Sequence, residues 1–90
     1  MILKMFEVIW TNKAKKYYEK LNKEFQERFE KMFNILEVTP FYYGKCIKKL
    51  TGQLEGIYRF RIGKLRIFYI IDVKNKKISI INIDTRGDIY

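Results

Sequence analysis

The sequence predicts an α+β domain of order β-αα-βββ: an antiparallel meander sheet with an N-terminal strand and a two-helix hairpin packed on one face. Three observations carry that reading. Over residues 56–71 apolar side chains recur with a period of two, the repeat of strands with one buried face. Over residues 13–38 they recur instead at i, i+3, i+4 and i+7, the repeat of an amphipathic helix. Glycine, proline and short polar residues stand between the periodic segments, where the chain must reverse.

Taken in order, residues 5–10 read as a short strand with Phe6, Val8 and Trp10 on one face. Thr11-Asn12 supplies an N-cap, because a short polar side chain accepts from the free N–H groups of a first helical turn. Over residues 13–21, Ala14, Tyr17, Tyr18 and Leu21 form one helical face. Asn22 interrupts. A second helix over residues 23–38 carries the stripe Phe25, Phe29, Met32, Phe33 and Leu36, with Glu24, Glu27, Arg28, Glu30 and Lys31 on its solvated side. Pro40 ends it by disfavouring helix at Thr39. Residues 41–55 read as a loop. Three strands follow, near residues 57–62, 65–73 and 77–83. Gly63-Lys64 gives a two-residue hairpin turn, and the next turn falls at residues 74–77, where Asn75 accommodates a left-handed backbone.

Closing the first hairpin pairs Ile62 with Leu65, Arg61 with Arg66, Phe60 with Ile67 and Arg59 with Phe68. One face is wholly apolar. The other sets Arg61 directly across from Arg66, with Arg59 two residues along. Like charges opposed in a ladder cost up to about 1 kcal/mol, so this face is either well solvated or holds an anion. The second hairpin, closed without interruption, pairs Val73 with Ile78, Phe68 with Ile83 and Arg66 with Thr85. That register brings Arg86 close to Arg66, and an ordered closing GDIY turns Tyr90 back toward the same place.

Ninety residues suit a single domain, 1–90, with one modest core. Lysine and arginine total 19 against 10 acidic residues, a net charge of +9. The expected partners are therefore polyanions: RNA, DNA, an anionic membrane surface or an acidic protein. There is no histidine, and Cys46 is the single cysteine. An intrachain disulfide is excluded, a zinc site or other metal is not expected, and catalysis falls to Tyr, Lys, Arg, Asp or Glu. No apolar run reaches the roughly 18–20 residues of a membrane span. The expected location is the cytoplasm, with no membrane partner and no cofactor.

The order of elements, the stretch LTGQLEGIYRFRIGKLRIFY and the closing R-G-D-I-Y together resemble the RelE/ParE superfamily of toxins from toxin–antitoxin modules. The resemblance covers essentially the whole chain. Its most specific parts are Y-R-x-R-x-G-x-x-R-x-x-Y, from Tyr58 to Tyr69, and R-x-x-x-Y, Arg86 and Tyr90. Resemblance to RelE-like members implies a ribosome-dependent mRNA endoribonuclease that inhibits translation, cleaving without metal by attack of the 2′-OH on the adjacent phosphate. By position it implies catalytic roles for Arg59, Arg61, Arg66, Arg86 and Tyr90. The basic residues neutralise the phosphate, and Tyr90 orients or deprotonates the 2′-OH. Lys13, Lys16, Lys45, Lys48 and Lys49 then become RNA- or ribosome-binding residues, although a soluble loop is the plainer reading of the last three. The implied partners are a cognate antitoxin protein, the ribosome and mRNA.

Two departures qualify the match. Thr85 stands where many relatives carry His before the C-terminal Arg. Both basic sites of the first hairpin strand are Arg, which does not deprotonate near neutrality, where the RelE prototype carries Lys. These keep open a ParE-like, non-nucleolytic toxin directed at gyrase, and an inactive RNA- or partner-binding module.

Overall fold

The computed structural model describes residues 5–85. β1 (Glu7–Trp10) leads into α1 (Asn12–Glu19) and α2 (Lys23–Val38). Then come β2 (Ile47–Lys49), a 3-10 turn at Gly52–Leu54, β3 (Tyr58–Ile62), β4 (Leu65–Asp72) and β5 (Lys77–Asp84). The strands form one five-stranded sheet in the order β1-β5-β4-β3-β2. β1 runs parallel to β5, and the other neighbours are antiparallel. The α+β class and the helical hairpin are as expected. β2 is an addition within residues 41–55, which the sequence predicts as a loop, because three residues, two of them lysine, display no strand period.

Both helices begin on the expected polar residues. Thr11 Oγ1 accepts from the Ala14 N–H at 3.2 Å, and Asn22 Oδ1 accepts from the Phe25 N–H at 2.9 Å. Each cap contributes about 1 kcal/mol relative to alanine. The stripe of α2 is buried at Phe29, Met32, Phe33 and Leu36. It packs on the sheet residues Phe60, Leu65, Ile67, Tyr69, Ile78, Ile80 and Ile83, all buried. The Trp10 ring meets Tyr18 and Phe33 edge-on at 5.0 and 4.7 Å, closing the space between β1 and the helices. The Tyr69 hydroxyl donates to the Pro40 carbonyl at 2.7 Å and ties the exit of α2 to the sheet. Burial pushes the Tyr69 phenol well above its ordinary pKa.

The β3–β4 register is the expected one, from Ile62 opposite Leu65 to Arg59 opposite Phe68. Gly63 has φ +58° and Lys64 does not turn positive, the φ pattern of a type II′ turn. The β4–β5 hairpin corrects the expectation. Asp72 pairs with Lys77 and Ile71 with Ile78; beyond an irregularity at Phe68/Tyr69, Phe68 pairs with Asn82, Ile67 with Ile83 and Arg66 with Asp84. The expected pairs Val73–Ile78, Phe68–Ile83 and Arg66–Thr85 do not form.

Two local causes explain the change. The Asp72 carboxylate accepts from the Asn75 backbone N–H at 3.1 Å and from Asn75 Nδ2 at 2.8 Å. Lys76, not Asn75, then takes the left-handed conformation at φ +57°. Ile81 is the extra residue of a β-bulge, unpaired between Asn82 and Ile80. The bulge switches parity along β5. Ile78 and Ile80 face the helices before it, and Ile83 and Thr85 are the buried residues after it.

Candidate functional site

The helices cover one face of the sheet, and the basic residues of the hairpin stand on the other. Directly opposed residues on neighbouring strands share a face, so the registers define two rows across that face. The first row is Lys48 on β2, Arg59 on β3, Phe68 on β4 and Asn82 on β5. The second is Arg61 on β3, Arg66 on β4 and Asp84 on β5. At about 4.8 Å between strands, Lys48, Arg59, Arg61 and Arg66 span about 10 Å of sheet.

The three arginines are held differently. Arg61 is exposed, and its Nε donates a long hydrogen bond, 3.4 Å, to the Gly63 carbonyl. Arg66 is half-buried, with its Nε 3.9 Å from Asp84 Oδ1. An acid in the same row therefore offsets the opposition of Arg61 and Arg66. That ion pair is partly exposed and contributes about 0–1 kcal/mol. Arg59 Nε is buried and has no hydrogen-bond partner among the described residues. A buried donor left unmade costs about 1–3 kcal/mol.

The lysines separate by parity. Lys48 lies opposite Arg59 and joins the first row. Lys49 lies opposite Tyr58, whose ring stacks on Tyr69 at 5.7 Å, so Lys49 belongs to the helix-side face. Lys13, in the first turn of α1, reaches a pocket of about 280 Å³ at the end of the first row, beside Phe68 and Asn82. Lys16 and Lys45 are exposed and belong to neither row. Arg86 and Tyr90 lie outside the described residues. Opposite Arg66, where the uninterrupted register set Thr85, stands Asp84.

Thr85 itself is buried. Its Oγ1 lies 3.1 Å from the Tyr17 hydroxyl, and its N–H donates to that same hydroxyl at 3.2 Å. The position before Arg86 is thus pinned to α1 on the helix side, away from the arginine rows. No sequence motif marks Phe68 or Asn82 as part of a site, and the sequence offers Asp84 as a partner for Arg86, not for Arg66. The β3–β4 alternation already put Phe68 beside Arg59, whereas Asn82 and Asp84 needed the bulged register.

A family model described as ParE toxin of type II toxin–antitoxin system matches residues 8–90. No curated protein matches. Several solved structures share the fold. A chain of the archaeal RelE–RelB complex from Pyrococcus horikoshii is 31% identical with a TM-score of 0.76, over 93% of this chain and 98% of that one. A chain of the toxin–antitoxin complex RelBE2 from Mycobacterium tuberculosis is 25% identical with a TM-score of 0.77, over 88% and 95%. The isolated E. coli RelE toxin, at 18% identity and a TM-score of 0.73 over 87% and 81%, is alike in fold.

Proposed function

The chain belongs to the RelE/ParE family of toxins from type II toxin–antitoxin systems, and from that premise we propose that it is an mRNA endoribonuclease that cuts on the ribosome and so stops translation. The observation that carries the reading is the gathering of four cations on one open face, Lys48 beside Arg59 and next to the opposed pair Arg61 and Arg66. Like charges opposed in a ladder cost stability, and a bound phosphate would offset that cost.

The proposed step is attack of a ribose 2′-oxygen on the adjacent phosphorus, with the P–O5′ bond breaking and a cyclic phosphate forming. The five-coordinate transition state gathers negative charge on its equatorial oxygens. Arg59 and Arg61 meet that charge from β3, and Arg66 from β4, on strands whose other faces are locked in the core. None of the arginines exchanges a proton near neutrality. The 2′-OH proton is assigned to the phenolate form of Tyr90, which becomes the neutral phenol, and the leaving 5′-oxygen takes one from solvent. A cognate antitoxin is the expected partner, its acidic residues meeting the basic rows.

The test is mRNA cleavage with and without programmed ribosomes, comparing wild type with Arg59→Ala, Arg66→Ala and Tyr90→Phe. Ribosome-dependent cuts are expected, slowed about 100-fold or more by each arginine change. A folded wild type that makes no cuts overturns the reading. One observation favours a second reading, a gyrase-directed toxin: Thr85 is held by Tyr17 on the helix side. Tyr90 is then the single group assigned to proton transfer. Inhibition of gyrase supercoiling by a protein that leaves RNA intact would select that reading.

A further inference from the structure

We propose that the pocket at the end of the first row is a nucleobase subsite, in which an unpaired RNA base next to the Arg59-bound phosphate stacks on Phe68 and presents its polar edge to Asn82. The inference rests on the RNA-directed reading of this face and deepens it by naming what lies beside the phosphate.

The pocket, about 280 Å³, has apolar walls from Leu54, Ile57, Phe68 and Ile81, with Asn82 and Lys13 as its polar members. Its floor is built by the bulge. In a regular strand Ile81 and Asn82 would point to opposite faces; with Ile81 unpaired, both line the same cavity. Its far wall is the chain leading into β3, folded over the sheet by bonds from the Leu50 N–H to the Ile57 carbonyl at 2.9 Å and from the Ile57 N–H to the Leu54 carbonyl at 3.1 Å. Leu54 stays 53% exposed there, an apolar side chain that the core does not need.

The chemistry of the lining selects the occupant. Phe68 stands directly between Arg59 and Asn82 in the row, so a ring stacked on it has a guanidinium on one side and an amide on the other. Every base has a π-face to stack on an aromatic side chain. Asn82 carries both a donor and an acceptor, the complement of a base edge. Lys48 and Arg59 flank the pocket toward β2, and Lys13 flanks it toward α1, so consecutive phosphates on either side of the seated base meet cations. An aliphatic side chain from a protein would use the walls and leave Asn82 and Lys13 without a purpose.

The experiment measures binding by fluorescence anisotropy of two single-stranded hexamers of equal charge: oligoadenylate and a base-free ribose-phosphate chain. Wild type should prefer oligoadenylate. Phe68→Leu should weaken oligoadenylate by about 5- to 100-fold and leave the base-free chain unchanged, and Phe68→Trp should restore the preference. Asn82→Leu should weaken oligoadenylate and leave the base-free chain unchanged, and Arg59→Ala should weaken both hexamers. Each variant is compared at matched thermal transition, and the half-exposed positions of Phe68 and Asn82 keep the core out of the test. Equal wild-type affinity for the two hexamers overturns the subsite, as does a Phe68→Leu change that weakens both alike. The two readings fail separately. Base-dependent binding by a protein that cuts no mRNA keeps the subsite and removes the nuclease, and ribosomal cleavage with base-blind binding does the reverse.

Discussion

On β3 and β4 the same residues' neighbours do opposite work on the two sides of the sheet. Phe60, Ile67 and Tyr69 are fully buried against the helices, while Arg59, Arg61 and Arg66, one residue away along the chain, face outward. The helix side is held by contact, and its cost is the ordering of large side chains. The other side is held by the first: its arginines are spaced by strands they stabilise little, the Arg66–Asp84 pair contributing at most about 1 kcal/mol. A rigid apolar face is what lets an unfavourable charged face persist.

The largest test of that division is stability. Phe60→Ala should cost about 3–5 kcal/mol and Ile67→Ala about 2–5 kcal/mol in denaturant unfolding, because each empties a filled site. Arg61→Ala should change stability by no more than about 0.5 kcal/mol, and Arg59→Ala should leave it unchanged or raise it by about 1–3 kcal/mol, because it removes a buried donor that has no acceptor among the described residues. Urea midpoints at constant m decide it. If Arg59→Ala unfolds the protein as readily as Phe60→Ala, the two faces are not separable.

A smaller effect belongs to Tyr69, the buried hydroxyl of the helix side. Tyr69→Phe leaves the Pro40 carbonyl without its donor and should cost about 1–3 kcal/mol. The pH dependence has a definite sign. Burial raises the folded pKa above the ordinary 10.0, so the unfolded chain loses its proton first as pH rises. Stability is therefore fully present below pH 10 and falls as pH rises beyond it. Tyr18, raised mainly by burial and then by Glu30, adds in the same direction. Unfolding free energy measured from pH 8 to 12 should show a shallower alkaline decline in Tyr69→Phe than in wild type.

What could be read in the sequence follows the length and regularity of each pattern. The stripe of α2 repeats over several turns, and the hairpin at Gly63 has a turn that fixes its own register, so Arg61 opposite Arg66 is legible in the sequence. β2 has three residues and depends on β3 for its existence. The second hairpin failed because its turn closes through Asp72 and Asn75, and because nothing in the local composition marks Ile81 as unpaired. The turn alone would set Ile83 opposite Arg66, and the extra residue at Ile81 shifts that partner by one to Asp84. It also brought Ile81 and Asn82 into one cavity, a juxtaposition without a linear motif. The arginine rows were legible; their neutralising acid and their apolar end were not.

The finest test uses two adjacent lysines that composition treats as equivalent. Lys48 and Lys49 are both exposed on β2, but Lys48 pairs with Arg59 and Lys49 with Tyr58. If the open face binds RNA through its phosphates, removing Lys48 should release about one fewer counterion and reduce the slope of log affinity against log salt by about 1. Lys49→Ala removes the same charge from the same strand and should leave that slope unchanged, since its side chain leaves from the other side of the sheet. Titrations of a single-stranded RNA between low and moderate salt measure both. Equal slopes for the two variants would mean that RNA responds to the net charge of the edge and not to the face. A difference confined to Lys48 ties the contact to the row of Arg59, because strand alternation is all that distinguishes the two positions.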